Sequence, residues 1–206
     1  MPWCWWEKVS EPGAVPPGPG IAIPSREECL ALMAEFGMLP HIREHSLKVA
    51  EVAVWLGTEL QAAGFPLHLP LIEAGALLHD LGKTPCLGTS LNHAEWGAAR
   101  LREAGFLLVA EVVAEHVILN PAPRDPRTLR EAEVVHSADK RVLHSEVVTL
   151  AARFADLKER YASTEEARRR LAALEMKAQA LEARIFSRLP HHPHDLIHLY
   201  QARRKP

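Results

Sequence analysis

Apolar residues recur at helical spacing over most of this chain, and no segment of any length alternates apolar and polar residues with a period of two. Spacings of three and four residues place side chains on one face of a helix, whereas a half-buried strand needs the period of two. The pattern therefore predicts an all-α fold with little or no sheet. One such face carries Ile42, His45, Val49, Val52 and Leu56.

Capping residues, prolines and glycines divide the chain into predicted helices. Ser25 and Glu28 form a capping box in front of the first helix, and Pro40 opens the second. Further helices are predicted to begin near residues 70, 92, 107, 129 and 164, and a short one follows Pro193. We predict that the helix from about residue 129 runs without a break to residue 161.

The first 24 residues differ in composition from the rest of the chain. Residues 11–24, EPGAVPPGPGIAIP, contain too much proline and glycine for an ordinary helix or a central strand. We therefore predict an extended arm over residues 1–24. Its tryptophans, Trp3, Trp5 and Trp6, either dock onto the body of the protein or contact another chain.

The helix that begins at Thr164 carries apolar residues at heptad positions, but over fewer than three repeats. That length is short for an independent coiled coil. We predict that this helix folds back on the preceding one as an antiparallel hairpin across Ala162 and Ser163. Formation of a homodimer through the same stripe is the alternative.

Composition narrows the class of protein. No apolar run approaches the roughly 18 residues of a membrane span. The first residues, MPWCWW, lack the basic and apolar regions of a signal peptide. The three cysteines are irregularly spaced and form neither a disulfide framework nor a zinc motif. We expect a cytoplasmic protein that does not enter a membrane.

Charge is distributed unevenly along the chain. Residues 1–139 carry 10 basic and 18 acidic side chains, whereas residues 140–206 carry 14 and 8. A basic C-terminal third could favour an anionic partner, although the faces of solvated helices are often charged in this way. Aromatic residues are dispersed rather than interleaved with the basic ones, which argues against nucleic acid as a partner without excluding it.

Several of the twelve histidines, together with two aspartates, fall on apolar helical faces. His45, His79 and His116 lie on such faces, and so do Asp80 and Asp139. One buried imidazole needs a single hydrogen bond, but a buried carboxylate is costly unless it is paired or bound to a metal ion. Imidazoles and carboxylates on the inward faces of different helices satisfy one another best around a cation.

The order of these residues resembles the H…HD…D signature of the HD-domain superfamily. Residues 78–84, LHDLGKT, look like the HDIG-type motif, with leucine in place of isoleucine. The segments around His93 and His116 resemble the additional histidine elements of the two-metal branches, and residues 138–140 resemble the closing ADK element. The resemblance covers residues 25–161 and implies a helical HD domain, with residues 162–206 as a C-terminal helical extension packed on it.

The resemblance also implies a ligand set. His45, His79, Asp80 and Asp139 would hold a first divalent metal ion, and Asp80 would bridge to a second ion completed by His93 and His116. Mixed nitrogen and oxygen ligands suit Mn, Fe, Co, Ni or Zn better than Mg. One or two such ions would activate a water molecule for attack on a phosphate group.

Four further residues lie close in sequence to these ligands. Lys83, one turn beyond Asp80, is predicted to contact a phosphate oxygen in catalysis, with a surface lysine as the alternative. His41 and Arg43 are weaker candidates for substrate binding, and either could instead face solvent. Lys140 is expected to face away from the site and form a structural ion pair.

Three functions remain open on the sequence alone. The first is a phosphohydrolase that acts on a small phosphorylated substrate, a nucleotide or a dinucleotide. The second is a diiron oxygenase, since some relatives use the same ligands to activate O₂. The third is a binding or regulatory module that is stabilised by a metal ion and has no catalytic activity.

Overall fold

The structure is a computed structural model, and it describes residues 22–121, residue 125 and residues 128–198. The predicted arm, with its three tryptophans, lies outside these residues except for residues 22–24. The elements are α1 (Arg26–Glu35), α2 (Pro40–Ala62), α3 (Leu69–Leu78), α4 (His93–Glu103), α5 (Leu107–Glu115), α6 (Glu131–Asp139), β1 (Val142–Leu143), β2 (Glu146–Val147), α7 (Leu150–Tyr161), α8 (Glu165–Phe186) and a 3-10 helix (Pro193–Asp195). The prediction of an all-α fold is confirmed.

Local sequence signals account for where the helices begin. The Ser25 hydroxyl accepts a hydrogen bond from the backbone N–H of Glu28, and the Glu28 carboxylate accepts one from Ser25 in return. Pro40 is the first residue of α2, where its missing N–H costs nothing. Asn92 and Thr164 cap α4 and α8 with their side-chain oxygens. The starts predicted for these four helices are confirmed.

A single apolar core joins α2 and α3 to α5 and α6. Its fully buried members include Leu56 and Leu60 of α2, Leu77 of α3 and Val113 of α5. Helix α4 covers α5 on the outside. Because these helices pack around one core, the ends of α3, α5 and α6 meet near the first half of α2, and the candidate site forms there. None of the helices described has both the length and the apolar character needed to cross a bilayer.

The predicted helix over residues 129–161 is wrong. Helix α6 ends at Asp139, and an antiparallel turn pairs Val142 with Val147 before α7 begins at Leu150. His144 adopts a positive φ of 55°, which a helix cannot contain. The side chain of Thr149 then caps α7. Helical spacing continues across this turn in the sequence, so periodicity alone did not reveal the break.

Helices α7 and α8 form the antiparallel hairpin that the heptad pattern predicted. Phe154 is fully buried and packs with Leu150 and Ala178. The ammonium of Lys158 lies 2.6 Å from the carboxylate of Glu175 across the two helices. The alternative of a homodimer stays a prediction.

Gly82 permits the closest backbone approach near the candidate site. A Cβ atom at this position would lie 2.2 Å from the carbonyl oxygen of His93 and 3.0 Å from the backbone nitrogen of Gly97. Both neighbours are backbone atoms that cannot rotate aside. The absence of a side chain therefore lets the residues after α3 contact the first turns of α4.

We predict that Gly82→Ala lowers the free energy of unfolding by about 2–3 kcal/mol, because the added methyl group overpacks this contact. Chemical denaturation followed by circular dichroism measures the change. Gly37→Ala is the control, since Gly37 has a φ of 62° and open space around it, so only backbone strain of about 1 kcal/mol is expected. An equal loss in both variants would contradict the close approach.

Candidate metal centre

Five helical elements each bring one or two ligand candidates to the same place. His45 lies in the second turn of α2, and His79 and Asp80 follow the last turn of α3. His93 is the first residue of α4, His116 follows α5, and Asp139 ends α6. All are buried except His93, whose side chain is 29% exposed. The six predicted ligands are therefore brought together.

The first group of candidate ligands contains His45, His79 and Asp80, with Asp139 beside them. The Nε2 atom of His45 lies 3.1 Å from Oδ1 of Asp139. The Nε2 atom of His79 lies 3.4 Å from Oδ2 of Asp80 and 3.8 Å from Oδ1 of Asp139. One ligand atom from each of His45, His79 and Asp80 lies within 4.8 Å of the others, close enough to share one ion.

The second group contains Asp80, His93 and His116. Here the other oxygen of Asp80, Oδ1, lies 3.4 Å from Nε2 of His93 and 3.7 Å from Nε2 of His116. The two imidazole nitrogens are 3.2 Å apart. Asp80 thus turns one oxygen toward each group, which is the arrangement expected of a carboxylate that bridges two ions.

Backbone carbonyls orient three of the imidazoles. The Nδ1–H groups of His45, His79 and His116 donate to the carbonyl oxygens of His144, Ala76 and Val113, at 2.9, 2.7 and 2.7 Å. A carbonyl can only accept, so Nδ1 carries a proton and Nε2 is the ring nitrogen that faces the centre. This is the hydrogen bond that metal-binding histidines usually make. Among the described residues, the buried Nε2 of His79 has no hydrogen-bond partner, which fits a nitrogen that binds a metal ion.

The electrostatics also suit a cation. Burial lowers the pKa of His116 to about 4, so this imidazole is neutral and can act as a ligand at neutral pH. Burial alone would raise the pKa of Asp80, but the imidazoles of His79, His116 and His93 around it hold that pKa well below its usual range. Lys140 and His45 do the same for Asp139, against the same effect of burial. His116 therefore offers a neutral imidazole, and Asp80 and Asp139 offer ionised carboxylates, which are donors that fit a divalent ion.

Two lysines neutralise the buried carboxylates. The Nζ atom of Lys83 lies 2.7 Å from Oδ2 of Asp80. The side chain therefore faces the centre, as its position one turn beyond Asp80 predicted. Lys140 lies 2.6 Å from Oδ2 of Asp139, which is the ion pair that we expected. The expectation that Lys140 faces away from the site is wrong, because its side chain lines the same cavity. Both ammonium groups are within reach of an anion bound there.

The other sequence candidates fall in different places. His41 lines the cavity at its exposed edge, whereas Arg43 is not among the lining side chains. His136, three residues before Asp139, is buried, and its Nδ1 donates to the carbonyl of His116 at 2.9 Å. Its position behind His116 follows from the packing of α6 on α5, which the sequence did not indicate.

A cavity of about 330 Å³ opens over the ligand cluster. One side is formed by the α7–α8 hairpin, with Arg153 and Arg160 among the lining residues. Sequence reasoning missed both arginines. They are seven residues apart, so they share a helical face, but arginines at this spacing are common on solvated helices. Their place became evident only when the turn after α6 brought α7 back over the site.

The family model described as HD domain matches residues 42–189, which include all six ligand candidates. The chain belongs to the HD domain family. The matched region runs past residue 161 and includes all of α8.

Two curated proteins are similar to this HD domain chain. A tRNA (cytidine(56)-2'-O)-methyltransferase of Thermoplasma volcanium is 31% identical over 144 residues, which cover 61% of this chain and 40% of that protein. An uncharacterized protein of Methanocaldococcus jannaschii is 34% identical over 110 residues, 47% of this chain and 64% of that protein. The chain thus spans less than two thirds of either relative. No solved structure matches it.

We predict that Asp80→Asn lowers affinity for Mn²⁺ by at least 10-fold, because the amide loses the charge and one of the two oxygens that face the ligand groups. Metal content after loading and gel filtration, measured by mass spectrometry, tests this. The control is Asp195→Asn, in a second His-Asp dipeptide that lies on the surface in the 3-10 helix. Equal metal content in both variants would contradict the assignment.

A pH dependence follows from the two buried, neutral imidazoles. Burial lowers the pKa of His116 to about 4 and that of His136 to about 3, from 6.5. Between pH 6.5 and 4 the unfolded chain binds protons at these residues that the folded chain does not, so stability falls as the pH falls. In metal-free protein, His136→Asn should reduce the slope of the free energy of unfolding against pH by about 1.4 kcal/mol per pH unit. Denaturation across this range measures it, and an unchanged slope would refute the prediction.

Proposed function

We propose that this HD domain protein is a metal-dependent phosphohydrolase that cleaves an ester or anhydride bond of a small phosphorylated substrate. Nucleotides and dinucleotides are the first substrates to test. The observation that carries the proposal is the position of Asp80, whose two oxygens face two different ligand groups at the base of a cavity with cationic side chains. Carboxylates in this position serve pairs of ions that act on phosphate groups.

Divalent ions held by the six ligands would polarise the phosphate and lower the pKa of a bound water molecule. The residues of the chain would then position the substrate and neutralise its charge. Lys83 and Lys140 would offer their ammonium groups to phosphate oxygens. Because both carboxylates and most of the imidazoles are buried, water is largely excluded and these interactions are stronger than in bulk solvent.

The two other candidates for substrate binding, His41 and Arg43, differ in their position relative to the cavity. His41 lies at the exposed edge of the cavity, where it could contact the leaving group as it departs. Arg43 lies outside the lining of the cavity, so we assign it no contact with the substrate. The catalytic assignments are therefore Asp80, as the shared ligand, and Lys83, as a direct contact to phosphate.

The methyl transfer named for the Thermoplasma relative forms no part of this proposal. The chain spans 40% of that protein, so the match does not identify which part of it carries the activity. A cluster of two carboxylates and four imidazoles around a shared centre also has the donor set of a hydrolytic metal site.

The test is a phosphate-release screen over nucleotides and dinucleotides, with Mn, Fe, Co, Ni, Zn and Mg each supplied in turn. We predict release with at least one transition metal, and a loss of at least about 100-fold in kcat/KM for Asp80→Asn. Asp195→Asn, the surface control, should match the wild type. Activity that survives Asp80→Asn would mean a contaminating enzyme.

Two results would overturn the proposal in different ways. Oxygen uptake by iron-loaded protein, without phosphate release from any substrate, would identify an oxygenase that uses the same ligands. Tight metal binding with neither activity would identify a binding or regulatory module.

A further inference from the structure

One carboxylate on α7 holds two arginines toward the candidate metal centre. Oδ2 of Asp156 lies 3.1 Å from Nη1 of Arg153, and Oδ1 of Asp156 lies 2.8 Å from Nη2 of Arg160. The residues at positions three before and four after Asp156 are its neighbours on one face of the helix. Both arginines line the cavity over the ligand cluster. Asp156 therefore fixes the direction of a guanidinium pair.

Arg153 is the inner member of this pair. The Nη2 atom of Arg153 lies 3.9 Å from Oδ1 of Asp139, and the side chain of Arg153 is only 12% exposed. The buried Nε–H has no hydrogen-bond partner. The Nε–H groups of Arg100, Arg130 and Arg184 are also without a partner among the described residues, so the location of Arg153 in the cavity lining, and not this donor, is what places it near a bound anion.

The charges around the cavity leave room for an anion. Lys83, Lys140, Arg153 and Arg160 line it, against the carboxylates of Asp80 and Asp139 and the adjacent Asp156. Any divalent ion held by the ligands adds further positive charge. With such an ion bound, a phosphate dianion would offset part of the positive charge, and a planar guanidinium can bind two of its oxygens at once.

The rest of the cavity lining that the hairpin contributes is largely apolar. Besides the arginines, α7 and α8 contribute Phe154, Leu157, Tyr161, Leu171 and Leu174 to the lining. This wall suits an uncharged organic group. A volume of about 330 Å³ is near the lower end of ligand pockets, which run from about 300 to 1,000 Å³. The cavity therefore accommodates one nucleoside or a group of similar size, and a dinucleotide would extend out of it.

We propose that the α7–α8 hairpin selects the substrate of this HD domain. Arg153 and Arg160, oriented by Asp156, bind the phosphate, and the apolar wall binds a compact organic group. The substrate class is then a compact phosphomonoester rather than a dinucleotide polyphosphate. This inference rests on the proposed phosphohydrolase function.

The first experiment measures binding of inorganic phosphate to manganese-loaded protein by calorimetry, without turnover. Arg153→Gln should weaken phosphate binding by at least about 10-fold, the loss expected for a hydrogen bond between charged groups. Arg160→Gln should have a smaller effect, because its side chain is 44% exposed. Asp156→Asn should also weaken binding, because both arginines remain in the chain but lose the carboxylate that orients them. Manganese content should be unchanged in all three.

The matched control is Arg169→Gln on α8. Its side chain is 80% exposed, pairs with Glu165 and does not line the cavity. Phosphate affinity of this variant should equal that of the wild type. Equal affinities in the Arg153→Gln and Arg169→Gln variants would overturn the assignment of the arginine pair.

The second experiment tests the apolar wall. Leu171→Trp should fill part of the cavity, raise the KM for a nucleoside monophosphate by at least several-fold and leave the affinity for inorganic phosphate unchanged. The wild type should also give a higher kcat/KM for monophosphates than for dinucleotide polyphosphates. The reverse preference, or an unchanged KM in Leu171→Trp, would refute the substrate class.

Failure of this inference can be told apart from failure of the proposed function. The protein could bind phosphate in a way that depends on Arg153 and yet release phosphate from no substrate. That result would support the anion site and contradict the hydrolase function. Phosphate release that is unaffected by Arg153→Gln would retain the hydrolase and reject the role of the hairpin.

Discussion

Two buried carboxylates, Asp80 and Asp139, are the constraint around which the rest of the site is arranged. An unpaired buried charge costs several kcal/mol, so each carboxylate requires cationic or hydrogen-bonding neighbours. Each has one lysine within 2.7 Å, and imidazoles surround the remaining oxygens. These neighbours come from separate helices, so the helices must converge to satisfy the carboxylates. The interactions that offset the cost of burying the two aspartates therefore also fix the position of the ligand cluster.

At the C-terminal ends of α3 and α5, one hydrogen bond both satisfies the helix end and orients a candidate ligand. The last carbonyls of a helix lack partners within the helix. At both ends the following histidine, His79 or His116, donates its Nδ1–H to the carbonyl three residues before it. The bond satisfies the helix end and also directs Nε2 at the centre. His45 lies within a helix, and its Nδ1–H donates to the carbonyl of His144, in the turn between β1 and β2. The turn that breaks the predicted helix is therefore the element that orients this ligand.

The sequence could predict that the candidate ligands come together because their chemistry conflicts with their position. Histidine and aspartate on apolar faces need an explanation, and the order of His45, His79, Asp80 and Asp139 supplied one. Arg153 and Arg160 gave no such conflict, since arginines two turns apart are ordinary on the exposed face of an amphipathic helix. Their role depends on where α7 lies, and this depends on a turn that helical spacing concealed. Residues that are unusual for their local pattern were predictable, whereas residues whose meaning comes from tertiary packing were not.

Arg141 connects the metal centre to the hairpin that covers it. Its side chain is 2% exposed and forms hydrogen bonds with the carbonyl of Val148, the carboxylate of Glu182 and the carbonyl of Pro193. One guanidinium thus joins the turn, α8 and the 3-10 helix at a point two residues from Asp139. Because Ile185 and Phe186 of α8 belong to the same core as α2 and α3, the extension cannot move away without exposing that core. The cavity wall and the ligand cluster are therefore parts of one packed unit, and the α7–α8 hairpin can position a substrate relative to the ligands.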